Sequence, residues 1–177
     1  MQVHLVRHLP TEYNKNGILQ GSMDIPLTFV SKEDEVRIVE NRTVISNLEL
    51  DEIYCSELMR AQETALLHGV NNFMIDARIN ELNFGTYEGK AKADMPQKVH
   101  ELWKTNPEKL SLGESLIEFF ERIDDFLFEK KSSNILCFTH GAVMRYVQAK
   151  YVLGNRNLMN TINIKNTELV SIEISNI

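Results

Sequence analysis

The sequence predicts an α/β protein, a three-layer α/β/α sandwich around a mostly parallel central sheet, and three observations carry that prediction. Short apolar runs recur at 2–7, 51–55 and 134–139. Each is followed by a stretch with helical periodicity, and such βα alternation builds a parallel sheet covered by helices on both faces. Two of these strands run straight into chemically capable residues, Arg7-His8 and Thr139-His140-Gly141. Open α/β sheets place their sites at those carboxyl ends.

Taken in order, Val3-His4-Leu5-Val6 forms the body of the first strand. Residues 30–48 read as a helix, but Val36, Val39, Val44, Ile45 and Leu48 make only a fair stripe, so an irregular helix is expected. The strand at 51–55 leads through Ser56, read as an N-cap, into a helix over 57–69. A short strand at 73–75 and a helix over 92–104 come next. The clearest helix spans 112–130, with Ser111 and Glu114 read as a capping box. Leu116, Phe119, Phe120, Ile123, Phe126 and Leu127 fall at helical spacing and are read as core. Ile135-Leu136-Cys137-Phe138 is a buried strand within 134–139, followed by a helix over 141–152. A weaker strand near 161–165 and a final one at 168–174 complete the pattern. With no repeat, low-complexity tract or linker, 1–177 is read as one domain.

Composition bounds the function. The 177 residues suffice for a full core, and 43% hydrophobic content argues against disorder. A net charge of -6 and the absence of a basic stripe argue against a nucleic-acid partner. No apolar run approaches membrane-spanning length and the first strand begins almost at Met1, so no membrane partner and a cytoplasmic location are expected. Cys55 and Cys137 fall in predicted buried strands and are read as packed thiols.

The strand ends point to phosphate. A phosphate ester carries close to two negative charges, and the guanidinium fork matches its oxygens. Arg7 supplies one fork and Arg60, early in the helix after Ser56, a second. His140-Gly141 repeats the strand-to-helix arrangement. Taken singly, each residue has a plain reading: a histidine at a strand end is usually structural, as His4, His68 and His100 are read to be. Other chemistries fit less well. A cysteine phosphatase needs five residues between Cys and Arg, whereas Cys55 and Arg60 have four between them and Cys137 and Arg145 seven. A zinc site built from His4, His8 and His140 would leave Arg7 and Arg60 unexplained, since their charge opposes a cation. Phosphate-cradling and dinucleotide glycine motifs are absent.

Five motifs in order resemble the histidine phosphatase superfamily, the clan of cofactor-dependent phosphoglycerate mutases and related phosphatases. They are Arg7-His8-Leu9-Pro10-Thr11 with Asn14, Gln20-Gly21 and Asp24-Ile25-Pro26-Leu27; Ser56, Leu58, Arg60, Ala61, Thr64 and Ala65; Glu81, Phe84-Gly85 and Glu88-Gly89; Gly113-Glu114-Ser115; and Thr139-His140-Gly141. The pattern is closest to small phosphatases such as alpha-ribazole phosphatase. The resemblance implies a phosphoglycerate mutase-like fold and His8 as a nucleophile that becomes phosphohistidine. It implies that Arg7, Arg60 and His140 bind the nonbridging oxygens, with His140 as an imidazolium, and that Glu81 protonates the leaving oxygen and later activates water. Asn14, Thr11, Gln20, Gly21 and Gly141 complete the expected substrate-binding set. No metal or cofactor is implied, and the partner is a small phosphorylated metabolite, with a homodimer as a possible assembly.

Two departures matter. Leu9 and Pro10 replace the family's Gly and acidic or amide residue, which predicts a stiffer, more apolar loop. That loop is expected to border the leaving-group pocket together with Gln20, Gly21 and the 90–107 segment, whose Lys90, Lys92, Lys98 and Lys104 are candidates to meet a second anionic group but are read for the most part as solvated helix charges. The short segment from Lys90 to Pro107 and the absence of an Arg-Arg pair favour hydrolysis over mutase chemistry. A catalytically silent phospho-ligand binder is the remaining alternative, against which all five catalytic-type residues count.

Overall fold

The structure, a computed structural model, describes residues 1–131 and 133–175. Its centre is a five-stranded sheet of β1 (Gln2–Arg7), β2 (Glu52–Cys55), β3 (Met74–Ile75), β4 (Asn134–Thr139) and β5 (Leu169–Glu173). The order is β3-β2-β4-β1-β5, with every pair parallel except β1 and β5. The helices are α1 (Glu12–Lys15), α2 (Lys32–Ile45), α3 (Met59–Leu67), α4 (Gln97–Thr105), α5 (Leu116–Glu129) and α6 (Gly141–Tyr151).

Side-chain alternation along the strands splits the core in two. Val3, Leu5, Ile135 and Cys137 face α5 and α6, where Phe119, Phe120, Ile123 and Phe126 are buried. Val6, Cys55, Leu136 and Phe138 face α3 through Ala61 and Ala65, with Ile45 of α2 behind. Helices therefore cover both faces, as three layers require. Truncating one of the buried phenylalanines to alanine would cost roughly 3–5 kcal/mol.

Several elements differ from expectation for identifiable reasons. The helix α5 starts later than 112, because its capping box is Ser115 with Glu118, not Ser111 with Glu114. Glu114 instead accepts from the Asn83 amide and pairs with Arg122, while Gly113 donates to the Asn83 carbonyl, which holds 111–115 as a loop. Helix α2 is regular and carries a Ser31–Asp34 capping box. Val36 and Val39 point to solvent, however, because the packed face runs through Ile38 and the polar Asn41, which bonds His68 and the Thr167 carbonyl. Ser56 is not the N-cap of α3, a role taken by Leu58, although its hydroxyl still accepts from the Leu58 amide. The helix expected over 92–104 divides into a 3₁₀ turn, Lys92–Asp94, and α4, since Pro96 forces Met95 into an extended conformation. The weak strand near 161–165 is not formed. Arg156–Thr161 is a 3₁₀ turn, and the Ile164 carbonyl accepts from Arg7 instead of a ladder partner.

Candidate active site

Parallel register brings three strand ends together. Arg7 pairs with Thr139 and Cys55 with Phe138, so His8, His140 and Ser56 follow side by side on one edge. The rings of His8 and His140 are 5.2 Å apart, centre to centre. Beside them lies a cavity of about 200 Å³, lined by Arg7, His8, Asn14, Gln20, Gly21 and Glu81 of the expected set. Arg60, His140, Thr11 and Gly141 do not line it; they form the layer behind, and Arg60 and His140 are fully buried. Leu9 is fully buried as well, and its amide donates to the Thr64 hydroxyl. Pro10 lines a different, shallower depression. The expectation that Leu9 and Pro10 border the pocket is therefore corrected: the outer wall is Ile18, Leu19, Phe84, Met95 and Trp103.

Hydrogen bonds set the histidine tautomers. His8 Nδ1 lies 2.6 Å from the Leu9 carbonyl, which can only accept, so Nδ1 carries the proton and Nε2 keeps its lone pair. At His140, Nε2 lies 2.7 Å from the Ser56 hydroxyl. That hydroxyl gives its one hydrogen to Asn80 Oδ1 at 2.6 Å, so it accepts from His140 Nε2–H. His140 Nδ1 is then the free acceptor, buried and without a partner.

Charge is concentrated here at a cost in solvation. Burial pushes the Arg7 guanidinium down to about 10, partly offset by Glu81 and reinforced by Arg145 and Arg60. Arg60 shifts down for the same reason, with Glu81, Asp24 and Glu88 opposing. Its two terminal nitrogens donate to the carbonyls of Met23 and Gly21 at 2.6 and 2.7 Å, while its Nε has no partner. Those bonds hold the 21–23 loop. Gly21 is required there, since its φ is +53° and a Cβ would lie 2.0 Å from Glu88 Oε1.

Glu81 sits on a loop stapled by Arg122, which donates to the carbonyls of Arg78, Asn80 and Glu81. Glu81 Oε1 accepts from the amides of Leu82 and Ala142, both at 3.1 Å, the second at the start of α6. Asn14 Oδ1 accepts from the Thr11 amide, which leaves its NH₂ group as the donor available to the cavity. Thr11 also donates to Gln20 Oε1 at 2.8 Å, so Thr11 is a positioning residue for both amides.

Two wall residues were missed or underread. Lys92 reaches the cavity, against the solvated reading that it shared with Lys90, Lys98 and Lys104, and Arg145 lines it too. The signal for Arg145 was its spacing: it lies four residues after Gly141, on the same helix face. A Cβ on Gly141 would lie 3.2 Å from Arg7 Nε and 3.4 Å from an Arg145 terminal nitrogen, so that glycine lets both guanidiniums approach.

Burial first, then Arg60 and Arg7, holds His8 well below the usual histidine range; burial, Arg60 and His8 do the same to His140. In this arrangement His140 is therefore neutral, not the imidazolium expected, and only an approaching anion would favour its protonation. The consequence for stability has a definite sign. Unfolded histidines take up protons below about pH 6.5 while these two do not, so stability falls by up to roughly 1.4 kcal/mol per pH unit for each as the solution is acidified. The midpoint temperature should drop between about pH 7.5 and about pH 5.5, above the carboxylate range. A flat profile would contradict the neutral assignment.

An α/β sheet that gathers histidines and arginines at its carboxyl edge, around a small cavity, is the architecture of a phosphoryl-handling enzyme. The chain belongs to the histidine phosphatase superfamily, branch 1, whose family model matches residues 3–176, and it is an enzyme of the phosphatase class. It is 33% identical over 174 residues to the "Putative phosphoserine phosphatase 2" of Hydrogenobacter thermophilus, covering 90% of this chain and 83% of that one. It is 27% identical over 164 residues to the adenosylcobalamin/alpha-ribazole phosphatase of Escherichia coli, covering 86% and 79%. The crystal structure of TTHB049 from Thermus thermophilus superposes with a TM-score of 0.77 at 30% identity, covering 98% of this chain and 94% of that one. Among the described residues no three His, Cys, Asp or Glu side chains group so as to hold a metal ion, and no helix is long and apolar enough to cross a membrane.

Proposed function

We propose that the protein hydrolyses a small phosphomonoester in the cytoplasm, without a metal, through a phosphohistidine on His8. The observation that carries this reading is the His8 hydrogen bond to the Leu9 carbonyl, which leaves a neutral Nε2 facing the cavity beside Arg7. Nε2 attacks phosphorus in line, the P–O ester bond breaks, and Glu81 delivers its proton to the departing oxygen. Water then attacks phosphorus, Glu81 takes back a proton, the P–N bond breaks and inorganic phosphate leaves. Arg7 stabilises the equatorial oxygens at the cavity wall, and Arg60 and His140 add their charge from the layer behind, His140 once the bound dianion has favoured its protonation. A cavity of about 200 Å³ favours a small metabolite over a nucleotide or a protein.

The test is to quench the reaction with a radiolabelled phosphate ester in the steady state. The protein should carry label that survives alkali and is lost in acid, as a phosphoramidate does, and peptide mapping should place it at His8. Label on another residue, or none during turnover, overturns the mechanism. Activity should also survive a strong chelator, because guanidinium groups supply the positive charge. Complete loss restored by zinc or magnesium would show that a cation is required.

A further inference from the structure

The peptide that follows His8 is gripped from both sides. His8 Nδ1 keeps its proton on the Leu9 carbonyl, so the aim of Nε2 depends on how the His8–Leu9 peptide is held. On one side the Leu9 amide donates to the Thr64 hydroxyl at 2.9 Å. On the other, the His8 carbonyl accepts from Asn166 Nδ2, also at 2.9 Å. That carbonyl can only accept, which fixes the Asn166 NH₂ group toward it. A trans peptide points its C=O and N–H in opposite directions, so the two contacts act on one rigid plane.

The placement of Asn166 comes with backbone strain. Next to it, Thr167 has a φ of +67° and is the one non-glycine with positive φ among the described residues. A β-branched side chain resists that conformation, which persists only where surrounding groups over-determine it. Here they do. The Thr167 amide donates to the Arg7 carbonyl at 3.1 Å, its carbonyl accepts from Asn41 Nδ2 at 2.8 Å, and its buried hydroxyl lies 3.4 Å from Asp34 Oδ1. The Arg7 amide in turn donates to the Glu168 carbonyl, and an Arg7 terminal nitrogen to the Ile164 carbonyl. Asp34 and Asn41 of α2 thus anchor the turn, and the turn carries Asn166 to His8.

We propose that Asn166 is a positioning residue for His8: by holding the His8–Leu9 peptide it keeps the Leu9 carbonyl on Nδ1 and Nε2 in line with phosphorus. This rests on the phosphohistidine reading above. Asn166 does not line the cavity, so it acts through His8 and not on the substrate. Its second N–H points toward Asn14 Oδ1 at 3.4 Å, but that amide is held independently by Thr11. Phosphate binding should therefore survive the loss of Asn166.

Two substitutions test this. Asn166→Ala removes the donor, whereas Asn166→Asp keeps the shape and sets a carboxylate oxygen against the His8 carbonyl. Misplacing a reacting atom by about 1 Å costs on the order of a hundredfold in rate. For nitrophenyl phosphate, kcat/KM should fall by about tenfold or more in Asn166→Ala and further in Asn166→Asp, while the Kd for inorganic phosphate stays within about threefold of wild type. The imidazole nitrogen NMR signals of His8, assigned by their loss in His8→Ala, should report Nδ1–H in the wild type and a mixture of tautomers in both variants. A purely structural role would lower the midpoint temperature yet leave the His8 signals, and kcat/KM well below that temperature, as in the wild type; that result overturns the inference. So does a loss of activity with the His8 tautomer unchanged. If Asn166→Asp does not fold, Asn166→Ala, at a half-buried turn position and without a new charge, carries the test. If the wild type hydrolyses no ester, the proposed function falls and the nitrogen signals decide the positioning role: mixed tautomers in Asn166→Ala support it, and an unchanged spectrum overturns it.

Discussion

Replacing His8 with alanine is expected to lower kcat/KM for every phosphomonoester by about ten-thousandfold or more, the order seen when an enzyme loses its nucleophile. The geometry explains why nothing substitutes for it. His140 is the nearest other imidazole, but its Nε2–H is committed to Ser56 and its ring is fully buried, off the cavity wall. Arg7 and Asn14 stay in place because β1 and the Thr11 cap hold them, so the variant should still bind vanadate or phosphate. Enlarging an already fully packed position is not at issue, since alanine is smaller, and a thermal melt will show whether the fold survives. Turnover of nitrophenyl phosphate at the wild-type rate would remove His8 from the nucleophile role.

The second large effect concerns the leaving group. An alkyl alkoxide departs poorly without a proton, whereas a nitrophenolate needs little help. Glu81→Gln should therefore reduce kcat/KM for an alkyl phosphate by about 10²–10⁴-fold and for nitrophenyl phosphate by less than about tenfold. The amide is nearly isosteric, and its oxygen can still accept from the Leu82 and Ala142 amides that hold Glu81 Oε1. Because kcat/KM reports steps only up to phosphohistidine formation, slow dephosphorylation does not mask the difference. Equal losses for the two substrates would rule Glu81 out as the acid. Glu88 is a poor successor: its carboxylate already accepts from Ser22 and from the Phe84 amide, bracing the loop beside Gly21.

Much of the site was legible because strand ends and motif order are local properties. Arg7-His8 and Thr139-His140-Gly141 announce themselves through the apolar strands before them, and Ser56 to Ala65 through its strand-to-helix change of period. What misled were residues whose partners lie far along the chain. Ser111 and Glu114 satisfy the spacing of a capping box, yet Glu114 is drawn to Asn83 and Arg122, and Ser115 caps the helix in its place. Leu9 and Pro10 stand next to the nucleophile in sequence, but Leu9 turns into the core while Trp103, almost a hundred residues away, comes to the wall.

By itself the sequence determined the α/β class, the strand and helix order around the site, and the residue types that handle a phosphoryl group. Those follow from periodicity, from capping and turn chemistry, and from the charge of a phosphate ester, all readable within a few neighbouring residues. Only the tertiary structure decided which of those residues face the cavity and which stand behind it, which nitrogen of each histidine keeps its proton, and that Arg145 and Lys92 join the wall. The reason is physical. Exposure, tautomer and the balance of charge in a cavity depend on groups that meet only when distant segments pack, and a hydrogen-bond acceptor such as the Ile164 carbonyl or the Ser56 hydroxyl has no signature in the sequence around the side chain it serves.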